Sequence, residues 1–440
     1  MRRQVNSLGR NRLGMAEDHF LNPAAIAKQG SDTIFSWWAR YQDAVSSGKE
    51  PVNATIGALL EDDGTLAINK IVDSAVRNAP SNEIASYAPL AGLPDFLDLA
   101  KTLALGDFRK SIDDSGFHLG STATPGGSGA LYLAANNFLD EGQSCMLRDR
   151  HWGPYKGFLK NNGLSWNSWP LLPKDKQGIY PYFAQKEFEK TLEDLCSKQN
   201  KVMVWLNDPA HNPTGLSMTS DGRKACLESF VNSALRNEHV GHTLLIDLAY
   251  SLYAEDPYGW AETISESIES GMLWPENLLI TFAISLSKSH TIYGLRTGAL
   301  VSLHPEEKVV RRLETVMSVT GRQTWSAAPR VAQYCVSQIH SNQNEGLAWE
   351  SERDRLRSLL VKRRSKLIST CDKLGVPLNP TMDGFFAWIE VDDPLNFAES
   401  CAKENVFVVP LDGGVRIALC ALSTNHVERV AGALHKAMGD

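Results

Sequence analysis

The sequence predicts an α/β fold for a chain that is large enough to enclose an active site. Short apolar segments bounded by turn residues alternate with segments of helical periodicity through the middle of the chain, which is typical of buried parallel strands joined by helices. The chain has 440 residues, about two to three times the length of an average domain. From about Ala327 onward, long charged helical segments and a few short strands replace this alternation, which indicates a second, α+β domain.

The individual elements follow from the same patterns. Continuous apolar runs predict buried strands at residues 202–206, 243–246, 278–282 and 299–303. Helical periodicity predicts helices between them, at residues 185–199 and 223–235. The C-terminal part is predicted to contain a long charged helix at residues 345–374 and short strands at 386–391, 406–409 and 416–419. No internal repeat and no Pro-rich or Gly/Ser-rich linker separates the two parts, so we expect the domains to pack closely.

The composition is that of an ordinary globular protein. Hydrophobic residues make up 43% and charged residues 22% of the chain, which excludes a disordered or low-complexity protein. The 44 Lys and Arg residues against 51 Asp and Glu residues give a net charge of −7, so neither nucleic acid nor an anionic membrane is an expected partner. No segment approaches the roughly 20 apolar residues of a membrane helix, and the N-terminus lacks the apolar core of a secretory signal.

The cysteines and the N-terminal segment are two indicators of the cellular compartment in which the protein is found. The seven cysteines are an odd number, scattered and without a C-x-x-C pair, so we expect neither a disulfide framework nor a metal site. A reducing, cytoplasmic location is the prediction. The first fifteen residues carry Arg2, Arg3, Arg10 and Arg12 and no acid, as an organelle transit peptide would, but they lack a clear amphipathic apolar face. A solvated tail is the favoured interpretation.

A glycine-rich segment offers the first candidate site. Gly126, Gly127, Ser128 and Gly129 stand where an extended run meets a helical one. Unpaired backbone N–H groups and the dipole of a helix N-terminus attract a phosphate, and glycine lets the anion approach closely. The segment lacks the Gly-Lys-Ser/Thr ending of a nucleotide P-loop, and an ordinary strand-to-helix turn would also account for it.

Polar residues follow three of the predicted strands, where ligands bind in open α/β sheets. Asn212 follows the strand at 202–206, Asp247 and Tyr250 follow the strand at 243–246, and Lys288 follows the strand at 278–282. Turn chemistry or an exposed basic loop would explain each one alone.

Arg296 lies eight residues beyond Lys288, and an arginine fork holds a phosphate with two parallel bonds. A buried lysine can lose its proton and become a nucleophile. Taken together, the glycine segment, the acid, the phenol and the lysine predict a pocket for a phosphorylated, nitrogen-containing aldehyde.

These motifs resemble those of the class I aminotransferases, fold-type I pyridoxal-phosphate enzymes that include aspartate and aromatic amino-acid aminotransferases. The resemblance covers nearly the whole chain. In chain order it rests on Asn53-Ala-Thr-Ile-Gly57, Tyr87-Ala-Pro-Leu-Ala-Gly92, Gly126-Gly-Ser-Gly-Ala130, His211-Asn-Pro-Thr-Gly215, Asp247-Leu-Ala-Tyr250, Ser285-Leu-Ser-Lys288, Gly294-Leu-Arg-Thr-Gly298 and Gly413-Gly-Val-Arg416. It implies a large domain with a mostly parallel sheet flanked by helices and a smaller α+β domain.

The resemblance implies a role for each residue around the cofactor ring. Lys288 carries pyridoxal phosphate covalently and moves the substrate Cα proton as base and acid. Asp247 pairs with the ring nitrogen and keeps it protonated, so that the ring accepts electrons. Tyr250 and Asn212 hydrogen-bond the ring's phenolic oxygen, and Trp152 stacks on the ring.

The phosphate and the subunit arrangement are implied in the same way. Gly127, Ser128, Ser285 and Arg296 hold the phosphate, and Tyr87 reaches it from the neighbouring subunit. The active site is therefore expected to be shared across a homodimer.

The substrate side is implied to centre on Arg416, whose fork clamps the α-carboxylate. Gly57 and Phe386 line that side of the pocket together with Trp152 and Asn212. A surface arginine would be the ordinary alternative for Arg416.

The side-chain specificity is less sharply indicated. Arg322 stands where dicarboxylate-using relatives bind the distal carboxylate, which supports glutamate or 2-oxoglutarate as one substrate. Pro154 and Ala327 replace asparagines that assist in aspartate-specific relatives, and Tyr155 stands close by. The pocket therefore favours broad or aromatic specificity over strict use of aspartate.

We divide the chain into an N-terminal arm with part of the small domain (1–70), a large cofactor-binding domain (71–326) and a small C-terminal domain (327–440). The predicted function is amino transfer between an L-amino acid, aromatic or dicarboxylic, and a 2-oxo acid by a ping-pong mechanism. A β- or γ-lyase or a decarboxylase on the same scaffold is the alternative. A non-catalytic DNA-binding regulator is not favoured, because the match begins near residue 50 and leaves no room for a complete N-terminal DNA-binding domain.

Overall fold

The computed structural model describes residues 20–26, 28, 32–173 and 182–439, so the arginine-rich tail lies outside the described residues. The first part of the chain contains α1 (Pro23–Ile26), α2 (Thr33–Ser46), β1 (Val52–Asn53), α3 (Lys70–Arg77), α4 (Ser81–Ala85), α5 (Pro94–Leu105), α6 (Phe108–Asp114), β2 (His118–Pro125), α7 (Gly126–Asn137), β3 (Ser144–Arg148), α8 (Pro154–Asn161) and β4 (Ser165–Trp169). The middle contains α9 (Gln185–Cys196), β5 (Lys201–Asn207), α10 (Ser220–Arg236), β6 (Gly241–Asp247), α11 (Gly259–Glu269), β7 (Leu278–Ser285), α12 (Leu286–Ser289), β8 (Thr297–His304) and α13 (Glu307–Thr324). The last part contains α14 (Arg330–Ser341), α15 (Gln343–Leu374), β9 (Phe386–Glu390), α16 (Pro394–Lys403), β10 (Val406–Phe407), β11 (Val409–Leu411), β12 (Gly414–Ala418) and α17 (Val427–Ala437).

A large sheet forms the centre of the molecule. In the described residues it has seven strands in the order β2-β8-β7-β6-β5-β3-β4. Neighbouring strands pair in parallel except at β8, which runs antiparallel to both β2 and β7. The predicted mostly parallel sheet is thus confirmed, and β5, β6 and β7 account for three of the strands predicted as parallel.

The strand predicted at 299–303 exists as β8, but the expectation that it runs parallel was wrong. The chain between β7 and β8 stays at one edge of the sheet, through α12 and a short 3₁₀ turn at Tyr293–Leu295, and then returns. The start of β8 therefore lies at the same edge as the carboxyl ends of the other strands. This geometry places Arg296 next to the end of β7.

A smaller sheet region is built mainly from the C-terminal part. The strands β11, β12 and β9 form an antiparallel sheet, and β1 pairs in parallel with β10. Trp37 of α2 and Val52 of β1 share one apolar cluster with residues of α15, α16 and α17. The predicted strand at 406–409 is divided between β10 and β11.

The long predicted helix is confirmed as α15, and local signals define both of its ends. Asn342 accepts hydrogen bonds from the first backbone N–H groups, and Gly375 ends the helix with a left-handed φ of 72°. Val336 and Ile339 of the preceding α14 pack into the apolar core beneath the large sheet. The division of the chain at residue 327 stays a prediction.

The cysteine side chains and the membrane-spanning potential of the helices can both be read from the structure. All seven cysteines are buried, free thiols. Burial raises the pKa of Cys226 and of Cys420 to about 12, so both thiols are protonated at neutral pH. Within the described ranges, none of the helices has the length and apolar character needed to span a bilayer.

Candidate active site

The predicted polar residues meet at one edge of the large sheet. A cavity of about 130 Å³, here named the sheet-edge cavity, opens where β5, β6 and β7 end and β8 begins. The predicted cofactor-binding residues that line it are Gly127, Ser128, Trp152, Asn212, Asp247, Tyr250, Ser285, Lys288 and Arg296. Every predicted cofactor-binding residue except Tyr87 is therefore brought together.

The glycine-rich segment forms one wall of this cavity. Gly126 begins α7 with a left-handed φ of 69°, and a Cβ on it would lie 2.5 Å from Nη2 of Arg296. A Cβ on Gly127 would lie 3.0 Å from Cβ of Ser285. Glycine is required here because the helix N-terminus, the arginine and the serine approach one another so closely. Backbone N–H groups, a hydroxyl and a guanidinium then face the same space, which fits a phosphate.

Arg296 is held in place by its own turn. It adopts a left-handed conformation with φ of 46°, and its Nη1 donates to Oγ of Ser287 at 2.9 Å and to the carbonyl of Tyr293 at 2.8 Å. The side chain is exposed at the mouth of the cavity. The two bonds orient the guanidinium before any ligand arrives.

Lys288 lies in the short helix α12, immediately after β7, and its side chain is half-buried. Its Nζ is 5.3 Å from the centre of the Tyr250 ring. Burial, together with the charge of Arg296, lowers the pKa of Lys288 to about 8, although the charge of Asp247 opposes this shift. The amine is therefore far closer to its neutral, nucleophilic form at physiological pH than an exposed lysine is.

Asp247 ends β6 as a buried carboxylate, 6% exposed. Its Oδ1 accepts the backbone N–H of Ala249 at 3.0 Å, and its Oδ2 accepts the hydroxyl of Tyr155 at 2.6 Å. Burial raises the pKa of Asp247, whereas both hydrogen bonds and the charge of Lys288 act to lower it. The carboxylate faces the cavity and suits a protonated ring nitrogen.

A chain of hydrogen bonds joins this cavity to Arg416. Nδ2 of Asn212 donates to the hydroxyl of Tyr250 at 3.4 Å, and Oδ1 of Asn212 accepts from Nη1 of Arg416 at 3.3 Å. Nη2 of Arg416 donates to the carbonyl of Thr55 at 2.7 Å. Its Nε is buried and has no partner among the described residues. A buried guanidinium with a donor to spare suits an incoming carboxylate.

A second cavity of about 320 Å³, here named the Arg416 cavity, adjoins the first. Trp152 and Asn212 line both cavities, and Asp32, His151 and Pro154 also line the second. The two cavities are therefore neighbours with two residues in common.

The predicted substrate-side residues Gly57 and Phe386 touch each other. A Cβ on Gly57 would lie 3.3 Å from the ring of Phe386, and that ring lies 4.4 Å from the guanidinium carbon of Arg416. Burial lowers the pKa of Arg416 from that of an ordinary arginine. The apolar ring thus supports one face of the guanidinium.

Gly57 and Phe386 line neither cavity, although Phe386 packs against Arg416, and two other predicted residues are also absent from both linings. Tyr87 is 87% exposed, and its backbone carbonyl accepts a hydrogen bond from Arg330. Arg322 is exposed on α13, where Nη1 donates to Oγ of Ser326 at 2.6 Å. Neither residue lines the cavities of its own chain.

Sequence reasoning missed two contributors and misplaced a third. Asn207 lines the sheet-edge cavity, donates to the backbone carbonyl of Asp247 at 2.8 Å and accepts the backbone N–H of Asn212 at 2.7 Å. Its place at the end of β5 was an available signal. Thr55 takes part through its carbonyl, which no side-chain pattern reveals. Tyr155 was expected beside the substrate, but its ring is buried and its hydroxyl points to Asp247.

Comparison with known proteins gives consistent matches. The family described as aminotransferase class I and II matches residues 49–434. The chain is 24% identical to a mitochondrial aspartate aminotransferase of Dictyostelium discoideum over 93% of this chain and 92% of that protein. It is 26% identical to an aromatic-amino-acid aminotransferase of Paracoccus denitrificans over 80% of this chain and 84% of that protein. An aminotransferase structure from Anaerococcus prevotii has the same fold, with a TM-score of 0.87, 24% identity and coverage of 95% of this chain and 98% of that one.

Proposed function

This chain belongs to the class I and II aminotransferase family, with the fold-type I architecture and a pyridoxal-phosphate-dependent transaminase activity. On this basis we propose a role for each of the predicted site residues. The predicted family, fold, enzyme class and cofactor are confirmed, and the comparisons do not favour the lyase or decarboxylase alternative. The reaction passes an amino group from an amino acid to the enzyme and then to a 2-oxo acid. Ping-pong kinetics follow.

The sheet-edge cavity is the proposed cofactor site. Gly127, Ser128, Ser285 and Arg296 hold the phosphate. The bound cofactor supplies an electron sink for the bond that is broken at the substrate Cα. This proposal is supported above all by the convergence of Lys288 and the phosphate-binding groups on one cavity.

The remaining polar groups are assigned to the ring. Asp247 holds the ring nitrogen through a charge-assisted hydrogen bond, Tyr250 and Asn212 hold the ring hydroxyl oxygen, and Trp152 covers one face. Lys288 binds the cofactor covalently and, once the substrate replaces it, moves the proton at Cα. Its lowered pKa supports this role, because a base that works near neutral pH needs a pKa near neutral pH.

The Arg416 cavity is the proposed substrate site. Arg416 holds the α-carboxylate, which fixes the orientation of the Cα–H bond, and Asn212 assists. Trp152 gives this cavity an aromatic wall, and the buried ring of Phe386, with Gly57 beside it, packs against the Arg416 guanidinium. This apolar setting suits aromatic side chains. We propose aromatic and dicarboxylic L-amino acids as donors, since relatives named for aspartate and for aromatic amino acids are both similar to this chain.

A homodimer completes the proposed site. Ile84, Tyr87 and Leu90 form an exposed group of large apolar residues, at 61%, 87% and 46% exposure, which suits burial against a second copy. In that dimer, Tyr87 reaches the phosphate and Arg322 reaches the distal carboxylate of the substrate held by the neighbouring chain. We propose a cytoplasmic location, although similar proteins include cytoplasmic and mitochondrial aspartate aminotransferases.

A screen of amino donors tests this specificity. The full chain is loaded with pyridoxal phosphate and incubated with 2-oxoglutarate and each L-amino acid, and glutamate is measured. Aromatic donors and aspartate should give the highest kcat/KM values. If only basic or small aliphatic donors react, the substrate proposal is wrong. If ammonia or carbon dioxide is released without glutamate, the lyase or decarboxylase alternative is correct.

A further inference from the structure

The hydrogen bond between Tyr155 and Asp247 has no role in the assignments above. It joins the first turn of α8 to the end of β6, two segments 92 residues apart in the sequence. The distance of 2.6 Å lies in the range of a charge-assisted bond from a hydroxyl to a carboxylate. Burial raises the pKa of Tyr155 well above its usual value, so the phenol keeps its proton and acts as the donor.

The ring of Tyr155 is fixed independently of this bond. It is 1% exposed and packs edge-on against Trp205 at 5.1 Å and against Trp152 at 5.8 Å between ring centres. His151 stacks parallel to it at 6.2 Å. A phenylalanine would keep these ring contacts and remove only the hydroxyl.

We propose that Tyr155 is a positioning residue for the cofactor, which keeps Asp247 anionic and thereby keeps the shared proton on the ring nitrogen. The proposal rests on the assignment of Asp247 to that nitrogen. A donor on the carboxylate stabilises its charged form and lowers its affinity for a proton. Without the donor, burial favours the neutral carboxylic acid, and the proton moves from the ring to Asp247.

The other groups around Asp247 do not replace this donor. Among the described residues, two other titratable side chains act on Asp247 or respond to its charge. They are Lys288 of α12 and the phenol of Tyr250, in the turn after β6. Lys288 is assigned to the covalent bond with the cofactor, and the hydroxyl of Tyr250 accepts from Asn212. Among the described residues, Tyr155 is thus the side chain that donates a hydrogen bond to the carboxylate, beside the backbone N–H of Ala249.

The test compares two ligands on the cofactor-free full chain. One is pyridoxal phosphate, and the other is an analogue with a C–H group in place of the ring nitrogen. Tyr155→Phe should weaken pyridoxal phosphate binding by about tenfold or more, the scale of a hydrogen bond to a charged group. The analogue, which has no ring proton to hold, should bind the variant at least as well as it binds the wild-type protein.

A pH series gives a second readout. Removing the donor raises the pKa of Asp247, so the loss of pyridoxal phosphate affinity on acidification should begin at a higher pH in the variant than in the wild-type protein. Tyr258→Phe is the matched control, since Tyr258 is a partly buried tyrosine that packs against Gly106 and lines neither cavity. It should shift neither readout.

The outcomes separate this inference from the proposed function. Equal loss for both ligands in Tyr155→Phe would assign a purely structural role to Tyr155, and no loss for either would show that the hydroxyl is immaterial. Asp247→Asn provides the reference, because it should abolish the preference of the protein for pyridoxal phosphate over the analogue that lacks the ring nitrogen. If that preference survives in Asp247→Asn, the assignment of Asp247 itself fails. If it is lost there but kept in Tyr155→Phe, only the inference about Tyr155 fails.

Discussion

The sheet-edge cavity and the Arg416 cavity share Trp152 and Asn212 but differ in how their charged groups are satisfied. In the first, Asp247 already accepts two hydrogen bonds and Arg296 already donates two. In the second, Arg416 has a buried Nε without a partner in the described part of the chain. The second cavity is also larger, at about 320 Å³ against 130 Å³.

This difference suits the two proposed ligands. Groups that are oriented in advance bind a resident cofactor without a further loss of conformational freedom. A buried donor left open costs free energy until a ligand fills it, so the substrate carboxylate gains most from the contact with Arg416. One side of the site therefore favours permanent binding, and the other favours exchange.

The strongest test of the sheet-edge cavity is Lys288→Ala. It removes both the covalent attachment and the proton-transferring amine, so turnover should fall by about four orders of magnitude or more. Borohydride reduction followed by peptide mapping should find the cofactor on Lys288 in the wild-type protein. Lys308→Ala, an exposed lysine on α13, should leave the rate unchanged. Near-normal turnover in Lys288→Ala, or label on another lysine, would refute the assignment.

Asp247→Ala tests the electron sink in the same cavity. A ring nitrogen without its anionic partner loses its proton, and the rate of Cα-proton exchange should fall by roughly 100-fold or more. Exchange is measured with Cα-deuterated substrate at saturating cofactor. Asp247→Glu should retain part of the rate because it keeps the charge. An unchanged exchange rate with cofactor bound would contradict the proposed role.

Arg416→Ala tests the second cavity. Without the carboxylate clamp, the transition-state stabilisation calculated from kcat/KM should fall by about 2 to 5 kcal/mol for every amino acid. This is the cost of truncating one partner of a buried charge pair. Cofactor affinity, measured separately by equilibrium dialysis, should change little. A loss confined to one class of side chain would show that Arg416 does not bind the carboxylate that all substrates share.

Arg322→Ala should have a narrower effect than Arg416→Ala. The loss of transition-state stabilisation should be about 2 kcal/mol for dicarboxylic substrates and almost nothing for aromatic ones. The value is at the low end for charge pairs because Arg322 is exposed. Steady-state kinetics with aspartate and with phenylalanine provide the comparison. Equal losses for both would refute the specificity role.

Mixing subunits shows which chain contributes Arg322. A Lys288→Ala chain paired with an Arg322→Ala chain gives one site with both lesions and one with neither, provided that Arg322 acts across the dimer. Dicarboxylate activity should then recover when two impaired preparations exchange subunits. Heterodimers verified by mass spectrometry without any recovery would exclude a shared site.

The smallest expected effect is the pH dependence of Lys288 in the cofactor-free protein. Because the pKa of Lys288 is lowered to about 8, the rate of its reaction with an acylating reagent should reach half of its maximum near that pH. This midpoint is well below the midpoint for Nα-acetyl-lysine. Asp247 raises this pKa, so Asp247→Asn should move the midpoint to lower pH still. Peptide mapping quantifies the label on Lys288. A midpoint that matches Nα-acetyl-lysine would contradict the buried environment.

Much of the site was predictable because its signals are local. Lys288 and Asp247 each follow a continuous apolar strand within a few residues, and the edge of a mostly parallel sheet brings such positions together. Gly126 and Gly127 mark a strand-to-helix turn by residue type alone. The resemblance to the class I aminotransferases then supplied roles that strand patterns do not contain.

Other contacts depend on the packing of distant segments, for which the sequence carries no local signal. Arg416 finds its partner in the carbonyl of Thr55, 361 residues away, because the backbone N–H of Ala418 in β12 bonds the carbonyl of Ala54, just after β1. Tyr155 meets Asp247 across 92 residues because α8 packs beside the strand ends. Short apolar runs specify that a strand is buried but not which neighbour it pairs with or in which direction, so the antiparallel course of β8 had to come from the assembled sheet. Local residue chemistry therefore identified the groups, while long-range backbone pairing set their hydrogen-bond partners.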